Sequence, residues 1–192
     1  MPKINDVTGV ILAGGRSSRF GTNKALALFQ GIPLIDRVLN VMSPLFHDLM
    51  IVTNTPEIYE RLHLPLVKDF EPYLGPLGGI YTALRETRND RIFVVGCDMP
   101  LLDPKVISGI IQKSEEADAV VPIHDGIREF LMAVYSRKLL PEICKSLGEG
   151  RLSVKELCFH IPCIEWIPVK GDSWTAINTA EELKKLEERY AR

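Results

Sequence analysis

A glycine-rich segment near the start of the chain carries the residue types that phosphate binding requires. Residues 12–24 read LAGGRSSRFGTNK, and they directly follow an apolar run at residues 7–12 that is typical of a buried parallel strand. Gly14 and Gly15 allow close approach of the backbone to a ligand, and successive N–H groups in such a turn form an anion-binding concavity. Three cations lie in the same segment: Arg16, Arg19 and Lys24. The segment therefore predicts a phosphate-binding loop after the first strand.

The spacing of the glycines excludes two familiar phosphate-binding motifs. A P-loop needs a lysine directly after its second glycine, whereas Lys24 lies three residues after Gly21. A dinucleotide fingerprint needs one residue between its first two glycines, whereas Gly14 and Gly15 are adjacent. A tight turn with surface arginines is the simpler alternative. The coincidence of strand, turn and cations favours a phosphate loop of a third kind.

The bulk composition is that of one globular domain. The chain has 192 residues, of which 46% are hydrophobic and 25% charged, and a net charge of −2. We expect a single domain over residues 1–192, with a nucleotide-binding half at about 1–105 and an acceptor-binding half at about 106–192. Without a broad basic field, nucleic acid is not expected as a partner. No apolar run approaches about 18 residues, so we expect no membrane segment and a cytoplasmic protein.

The four cysteines suggest neither a disulfide framework nor a strong metal motif. No two of them form a Cys-x-x-Cys pair. Cys158 and Cys163 flank His160, but ordinary packing of His160 in a core or a strand explains this apolar stretch better than a metal does.

Apolar runs and helical periodicity alternate along the first half of the chain. Strands are predicted at residues 7–12, 48–54, 66–69 and 91–98, and helices at 32–42, 56–62, 80–86 and 103–116, with a flexible loop at 75–79. The second half predicts strands at 119–123, 131–135 and 161–169 and helices at 141–147, 152–157 and 180–190. This alternation predicts an α/β fold with a mostly parallel sheet between two helical layers.

Polar or glycine-rich positions end four of the predicted strands. They are Gly14, Asn54, Asp69 and Asp98. Ligands of open α/β sheets bind beyond the carboxyl ends of the strands. We therefore predict that these four residues form one site.

Asp98 is the candidate metal ligand. It ends an apolar strand and is followed by Met99 and Pro100, which turns the chain. A carboxylate facing a phosphate loop would repel a nucleotide, whereas a bridging Mg²⁺ held by that carboxylate and the phosphates removes the conflict. The alternative is an aspartate that only caps a turn. Asp103, in contrast, is explained as the N-cap of the next helix.

Asp69 and Asn54 are candidate contacts to the nucleotide. Asp69 could bind a ribose hydroxyl or a base edge, or could simply end its strand, and the ligand role is favoured. Asn54 precedes Thr55 and Pro56, which is also a turn signal, so both interpretations stay open.

No general base is evident in the sequence. A phosphate monoester is largely ionised at neutral pH, because its second pKa is about 6. A phosphate nucleophile therefore needs alignment and charge neutralisation rather than deprotonation. The residues favour nucleotidyl transfer to a phosphorylated acceptor.

Four segments together resemble the molybdenum cofactor guanylyltransferases. They are residues 12–24, GPLGGI at 75–80, GCDMP at 96–100 and INTAEEL at 177–183. The first resembles the signature of the nucleotidyltransferases related to sugar-phosphate enzymes. The resemblance implies the three-layer, Rossmann-like fold of the nucleotide-diphospho-sugar transferases. It also implies transfer of GMP from GTP to the terminal phosphate of molybdopterin, with release of pyrophosphate and with Mg²⁺ as cofactor.

The resemblance also implies roles for individual residues. Backbone groups of Leu12, Ala13, Gly14 and Gly15 would contact GTP. Lys24 would hold its phosphates, Arg19 would steady the leaving pyrophosphate, and Asp98 would bind both Mg²⁺ and GTP. Asn54 and Asp69 would contact the nucleotide, and Asn178 would lie near the acceptor. Molybdoenzyme apoproteins or upstream biosynthetic proteins are implied as transient partners.

The chain departs from the family pattern at several positions. Asn23 stands where aspartate is common, and Phe20 stands where methionine is common. Residues 129–131 replace a usual His-Pro pair, and Ala176 replaces one of two asparagines. The last two changes fall in the expected acceptor half. Three alternatives therefore stay open: a related transferase that uses CTP, one with another phosphorylated acceptor, and a non-catalytic adaptor that binds nucleotide or delivers cofactor.

Overall fold

The structure, a computed structural model, describes residues 3–14, 23–72 and 74–191. These residues form ten strands: β1 (Val7–Leu12), β2 (Leu28–Phe29), β3 (Ile32–Pro33), β4 (Leu49–Thr53), β5 (Leu66–Lys68), β6 (Arg91–Gly96), β7 (Ala119–His124), β8 (Ile127–Arg128), β9 (Met132–Ser136) and β10 (Ile164–Pro168). The α-helices are α1 (Leu34–Leu45), α2 (Gly75–Glu86), α3 (Pro104–Gln112), α4 (Leu140–Gly148), α5 (Val154–His160) and α6 (Ala180–Tyr190).

The main sheet has the strand order β10-β7-β9-β6-β1-β4-β5, with β8 paired to β7. β1 is central and runs parallel to β6 on one side and to β4 on the other. β5 and β10 also pair in parallel with their neighbours, whereas β9 is antiparallel to both β6 and β7. The predicted α/β fold with a mostly parallel sheet is confirmed.

Alternate residues of the central strands pack into two apolar layers. Ile11 and Phe93 belong to one core cluster together with α1 and α3. Their sequence neighbours Val10 and Val94 belong to the other, together with α2 and α4. Side chains of a strand alternate between the faces of a sheet, so these two clusters lie on opposite faces. The predicted three-layer arrangement is therefore confirmed.

Helix α2 begins earlier than the sequence predicted. Residues 75–79 are its first turn rather than a flexible loop, with Pro76 near the start where a missing N–H costs nothing. A Cβ at Gly79 would lie 2.9 Å from Leu12 Cδ2, so glycine allows the helix to pack closely on the end of β1. The glycines serve close packing here rather than mobility.

Several further boundaries differ from the predictions: α1 spans Leu34–Leu45 rather than residues 32–42, and α5 spans Val154–His160 rather than residues 152–157. The helix at 56–62 is two short 3₁₀ turns, Pro56–Ile58 and Glu60–Leu62. Helix α3 ends at Gln112 rather than near 116, because buried Ser114 donates to the carbonyl of Ile111 and accepts from Arg91. The last strand begins at residue 164 rather than 161.

Contrary to the expectation from the sequence, His160 is not packed in a core or a strand. It is the exposed last residue of α5, and its Nδ1 donates to the carbonyl of Glu156 at 2.7 Å. Within the described residues, no group of three His, Cys, Asp or Glu side chains could hold a metal ion. In the same part of the chain, no helix is long and apolar enough to cross a membrane.

Two predicted helix N-termini are confirmed. Asp103 caps α3 by accepting a hydrogen bond from the Lys105 N–H at 2.7 Å. Thr179 and Glu182 form a reciprocal capping box at the start of α6.

We expect Gly9→Ala to destabilise the fold by about 1–3 kcal/mol, because a well-packed core does not accept an added methyl group. An added Cβ would lie 2.8 Å from Leu49 Cδ1 and 2.9 Å from Phe46 Cγ. Gly109→Ala is the matched control, since nothing lies within 4 Å of its Cβ and alanine favours helix by about 1 kcal/mol. Urea unfolding of both variants measures the difference. A Gly9→Ala protein as stable as the wild type would contradict this packing.

Candidate active site

The register of the sheet brings the four predicted strand-end residues to one edge. Leu12 pairs with Val52 of β4 and with Gly96 of β6, and Val52 pairs with Val67 of β5. Two positions beyond this row lie, in spatial order, Asp98, Gly14, Asn54 and Asp69. The expectation that they share one edge of the sheet is therefore met.

Asn54, Asp69 and Gly14 are in contact at this edge. Asn54 Nδ2 donates to Asp69 Oδ2 at 2.8 Å. A Cβ on Gly14 would lie 3.4 Å from that carboxylate oxygen and 3.6 Å from the amide nitrogen. Glycine at position 14 therefore leaves room for a ligand to approach the backbone beside the two polar side chains.

Two acceptor atoms of this cluster have no hydrogen-bond donor among the described residues. Asn54 Oδ1 and Asp69 Oδ1 are both buried and unpartnered. Burial raises the pKa of the Asp69 carboxyl, and the hydrogen bond from Asn54 partly opposes that rise. Unpartnered buried acceptors are costly, so these two oxygens are candidate contacts for a ligand that brings donors.

We expect Asp69→Asn to raise thermal stability at pH 7 relative to the wild type. The folded protein binds the Asp69 proton more tightly than the unfolded chain, in which the pKa of an aspartate carboxyl is about 3.9. Wild-type stability therefore falls as the pH rises through the window above that value, and the amide variant lacks this fall.

Melting temperatures of both proteins between pH 4 and pH 8 test this prediction. The gap in favour of Asp69→Asn should close toward acidic pH. Asp103→Asn is the control, because asparagine is an equally good N-cap. A gap in melting temperature that does not change with pH would show that ionisation of Asp69 does not destabilise the folded protein.

Lys24 and Asp98 form the charged part of the site. Lys24 Nζ makes an ion pair with Asp98 Oδ2 and also donates to Asn178 Oδ1 at 3.3 Å. The Asp98 side chain is only 12% exposed, so its charge faces the site rather than bulk water. The main-chain N–H of Ile177 donates to the Asp98 carbonyl at 2.9 Å, which fixes the segment before α6 against the end of β6. A cation and an oxygen ligand thus stand side by side.

Some of the site could not be seen in the sequence. Asn178 was expected near the acceptor, and the structure places it beside Lys24. Glu129 is a half-buried carboxyl whose pKa is raised first by burial and then by the charge of Asp98, with His124 acting in the opposite direction. Nothing in the sequence around Glu129 indicated this proximity. Gly15, Arg16 and Arg19 lie outside the described residues, so their predicted roles stay predictions.

The edge as a whole has two chemically different parts. One part offers buried hydrogen-bond acceptors at Asn54 and Asp69. The other offers a lysine, a carboxylate and an amide oxygen. A ligand with a donor-rich ring and an anionic chain would use both, because charged side chains and unpaired acceptors each need a complementary group.

Comparison with known proteins adds independent information. The model of the MobA-like NTP transferase domain matches residues 9–158. A protein of Desulfosudis oleivorans named molybdenum cofactor guanylyltransferase is 38% identical over 191 residues, covering 94% of each chain. The crystal structure of molybdopterin-guanine dinucleotide biosynthesis protein A from Archaeoglobus fulgidus is 26% identical with a TM-score of 0.83, over 96% of this chain and 99% of that one.

A more distant structure shows similarity of fold alone. It is 4-diphosphocytidyl-2C-methyl-D-erythritolsynthase from Anaerococcus prevotii, 13% identical with a TM-score of 0.76, over 99% of this chain and 97% of that one.

Proposed function

Because the chain belongs to the MobA-like NTP transferase family, we propose that it transfers GMP from GTP to the terminal phosphate of molybdopterin, releasing pyrophosphate. The chain is a nucleotidyltransferase, and the proposal concerns its substrates, its metal and its site residues. The observation that carries it is the shared sheet edge, which holds both the Lys24–Asp98 pair and two buried acceptors that have no donor among the described residues.

The acceptor pair favours guanine over cytosine. Guanine presents two adjacent donor groups, the ring N1–H and the amino group, and Asn54 Oδ1 and Asp69 Oδ1 are two buried acceptors to which no described residue donates. Cytosine presents one amino donor beside a ring nitrogen that accepts. At the same place CTP would set its accepting ring nitrogen, rather than a donor, against one of these oxygens, and sites built around such oxygens discriminate strongly against a ligand that lacks the donor.

The charged part of the site suits the triphosphate. Lys24 would exchange Asp98 for phosphate oxygens, while backbone groups of Leu12, Ala13 and Gly14 would lie beside the nucleotide. Arg19 and Gly15 would complete the loop, as their positions in the sequence predict.

Two side-chain oxygens close to Lys24, those of Asp98 and Asn178, fit a magnesium ion. Asp98 Oδ2 and Asn178 Oδ1 both approach Lys24 Nζ, so a carboxylate and an amide oxygen are close enough to act on one cation. Mg²⁺ is commonly held by one or two protein oxygens together with substrate phosphates and water. When bound, the ion would neutralise charge on the triphosphate. Asp98 would be its principal protein ligand.

The reaction needs no proton transfer. An ionised oxygen of the acceptor phosphate attacks the α-phosphorus of GTP, a new P–O bond forms, and the bond from that phosphorus to the bridging oxygen breaks. Pyrophosphate leaves with the electron pair. The protein aligns the two anions and stabilises the charge that develops on the leaving group. Lys24 would hold the phosphates of GTP, and Arg19 would steady the leaving pyrophosphate.

Pyrophosphate release tests this function directly. The protein is incubated with Mg²⁺, GTP and molybdopterin, with CTP replacing GTP in parallel and with acceptor-free reactions as controls. We expect acceptor-dependent release with GTP and little with CTP. Release with CTP alone would favour the cytidylyl alternative. Nucleotide binding without release would favour another acceptor or an adaptor role. A cytoplasmic location and transient contacts with apoproteins or upstream biosynthetic proteins remain predictions.

A further inference from the structure

Tyr59 is a buried tyrosine whose hydroxyl forms hydrogen bonds with two segments of the candidate site, at Ala13 and at Asn23. It follows the first 3₁₀ turn after β4, and the residue is 1% exposed in the core cluster that contains α1 and α3. Burial raises the pKa of its hydroxyl to about 12. The group is therefore a neutral donor and acceptor at physiological pH.

The hydroxyl lies in a chain of hydrogen bonds that runs from the turn carrying Lys24 to the end of β1. The N–H of Ala25 donates to Asn23 Oδ1 at 3.0 Å, and Asn23 Nδ2 donates to the Tyr59 hydroxyl at 3.2 Å. The Tyr59 hydroxyl has two acceptors at 3.4 Å, the carbonyl of Ala13 and Asn23 Oδ1, and donation to Ala13 completes the chain while Asn23 Nδ2 donates to the hydroxyl. Each of these hydrogen bonds joins an N–H or O–H donor to an oxygen acceptor.

The two ends of this chain are the two sides of the proposed GTP site. Ala13 directly precedes Gly14 and is held to β4 by its N–H and by Thr53 Oγ1, which donates to its carbonyl at 3.0 Å. Asn23 caps the 3₁₀ turn Lys24–Leu26. Among the described residues the Tyr59 hydroxyl is one of two side-chain links between these sides; the other is the Lys24–Asp98 ion pair, since the Cys97 N–H donates to the Leu12 carbonyl at 3.1 Å.

We propose that Tyr59 is a positioning residue that, through Asn23, sets the place of Lys24 relative to the backbone at Ala13 and Gly14. The inference rests on the proposed function, because it assumes that both sides contact GTP. Tyr59 itself touches no substrate and acts only through Asn23 and Ala13.

Asparagine at position 23 sets the direction in which these hydrogen bonds are donated. An amide can donate to the tyrosine oxygen while its own oxygen accepts from Ala25. An aspartate, the residue common in the family, would still cap the turn but can only accept when ionised. The tyrosine hydroxyl would then donate to that carboxylate, and the Ala13 carbonyl would lose one of its two side-chain donors.

The first test compares two buried tyrosines. Tyr59→Phe keeps the ring and removes the hydroxyl, and we expect the Kd and the KM for Mg²⁺-GTP to rise about tenfold. The KM for the acceptor should stay unchanged, because the acceptor does not depend on this link. Tyr135→Phe is the matched control: that hydroxyl donates to the Phe130 carbonyl at 2.7 Å, so its loss removes a buried hydrogen bond without touching the GTP site.

The outcomes separate the inference from the proposed function. A wild-type protein that does not bind GTP overturns both. A wild type that binds GTP while Tyr59→Phe, still folded, binds it equally well overturns the inference alone. Equal losses in Tyr59→Phe and Tyr135→Phe would also overturn it, because that pattern reports general loosening of the core.

A second test reverses the hydrogen bond between Asn23 and the Tyr59 hydroxyl. Asn23→Asp is measured alone and in the Tyr59→Phe background, with Kd for Mg²⁺-GTP as the readout. The added charge weakens GTP binding by the same factor in both backgrounds, whereas the reversed hydrogen bond acts only when the hydroxyl is present. We expect a clearly smaller effect in the Tyr59→Phe background, and equal factors contradict the proposal. If Tyr59→Phe does not fold, Asn23→Asp alone must weaken GTP binding without altering the KM for the acceptor.

Discussion

Replacing Asp98 by asparagine is expected to reduce turnover by about 10³-fold or more, while the fold is retained. Asparagine has nearly the same shape, so the Ile177 N–H can still donate to the main-chain carbonyl of residue 98 at the end of β6. What is lost is the negative charge that faces Lys24 and that would hold Mg²⁺ on the triphosphate. The cationic side chains of Lys24 and Arg19 alone would then neutralise the charge on the leaving group.

A neighbouring aspartate provides the matched control. Asp103 lies five positions further along the chain and caps α3 through the Lys105 N–H. Asparagine caps helices as well as aspartate does, so Asp103→Asn should retain both stability and turnover. Pyrophosphate release is measured for both variants across a range of Mg²⁺ concentrations. An Asp98→Asn enzyme with wild-type turnover and the same Mg²⁺ dependence would remove Asp98 from the metal site.

The grouping of the four strand-end residues at one edge was predictable because it follows from topology. The apolar runs that became β1 and β6 are long and bounded by glycine or polar residues, and a parallel sheet aligns their carboxyl ends. Gly14, Asn54, Asp69 and Asp98 each follow a strand, so knowing the strands sufficed to group them. The same reasoning could not order the four across the edge, because order depends on which strands pair.

The partners of individual side chains were not predictable, because they depend on contacts between distant segments. Lys24 and Asn178 are 154 positions apart and still meet. Local pattern also misassigned residues 75–79, since glycines that permit close packing look in sequence like glycines that permit flexibility. Tyr59 likewise gave no signal, because an aromatic residue after a turn usually only fills the core.

Replacing Lys24 by methionine is expected to weaken GTP binding by about 10²-fold and guanosine binding by less than about twofold. Methionine keeps an apolar stem of similar length, so packing around the 3₁₀ turn is preserved, and only the ammonium group is lost. That group reaches Asp98 and Asn178, at the part of the edge assigned to phosphates. The acceptors assigned to the base, at Asn54 and Asp69, belong to the other part.

Affinities for guanosine, GMP and GTP, measured by calorimetry with Mg²⁺ present, resolve the contribution of each phosphate. Lys113→Met serves as the control, because Lys113 is exposed just beyond the end of α3 and its loss changes the net charge by the same amount. The loss for Lys24→Met should increase from guanosine to GTP, because each added phosphate increases the negative charge that an ammonium group can pair. Equal losses for all three ligands would mean that Lys24 supports the shape of the site rather than the phosphates. The proposed division of the sheet edge into a base-binding part and a phosphate-binding part would then be wrong.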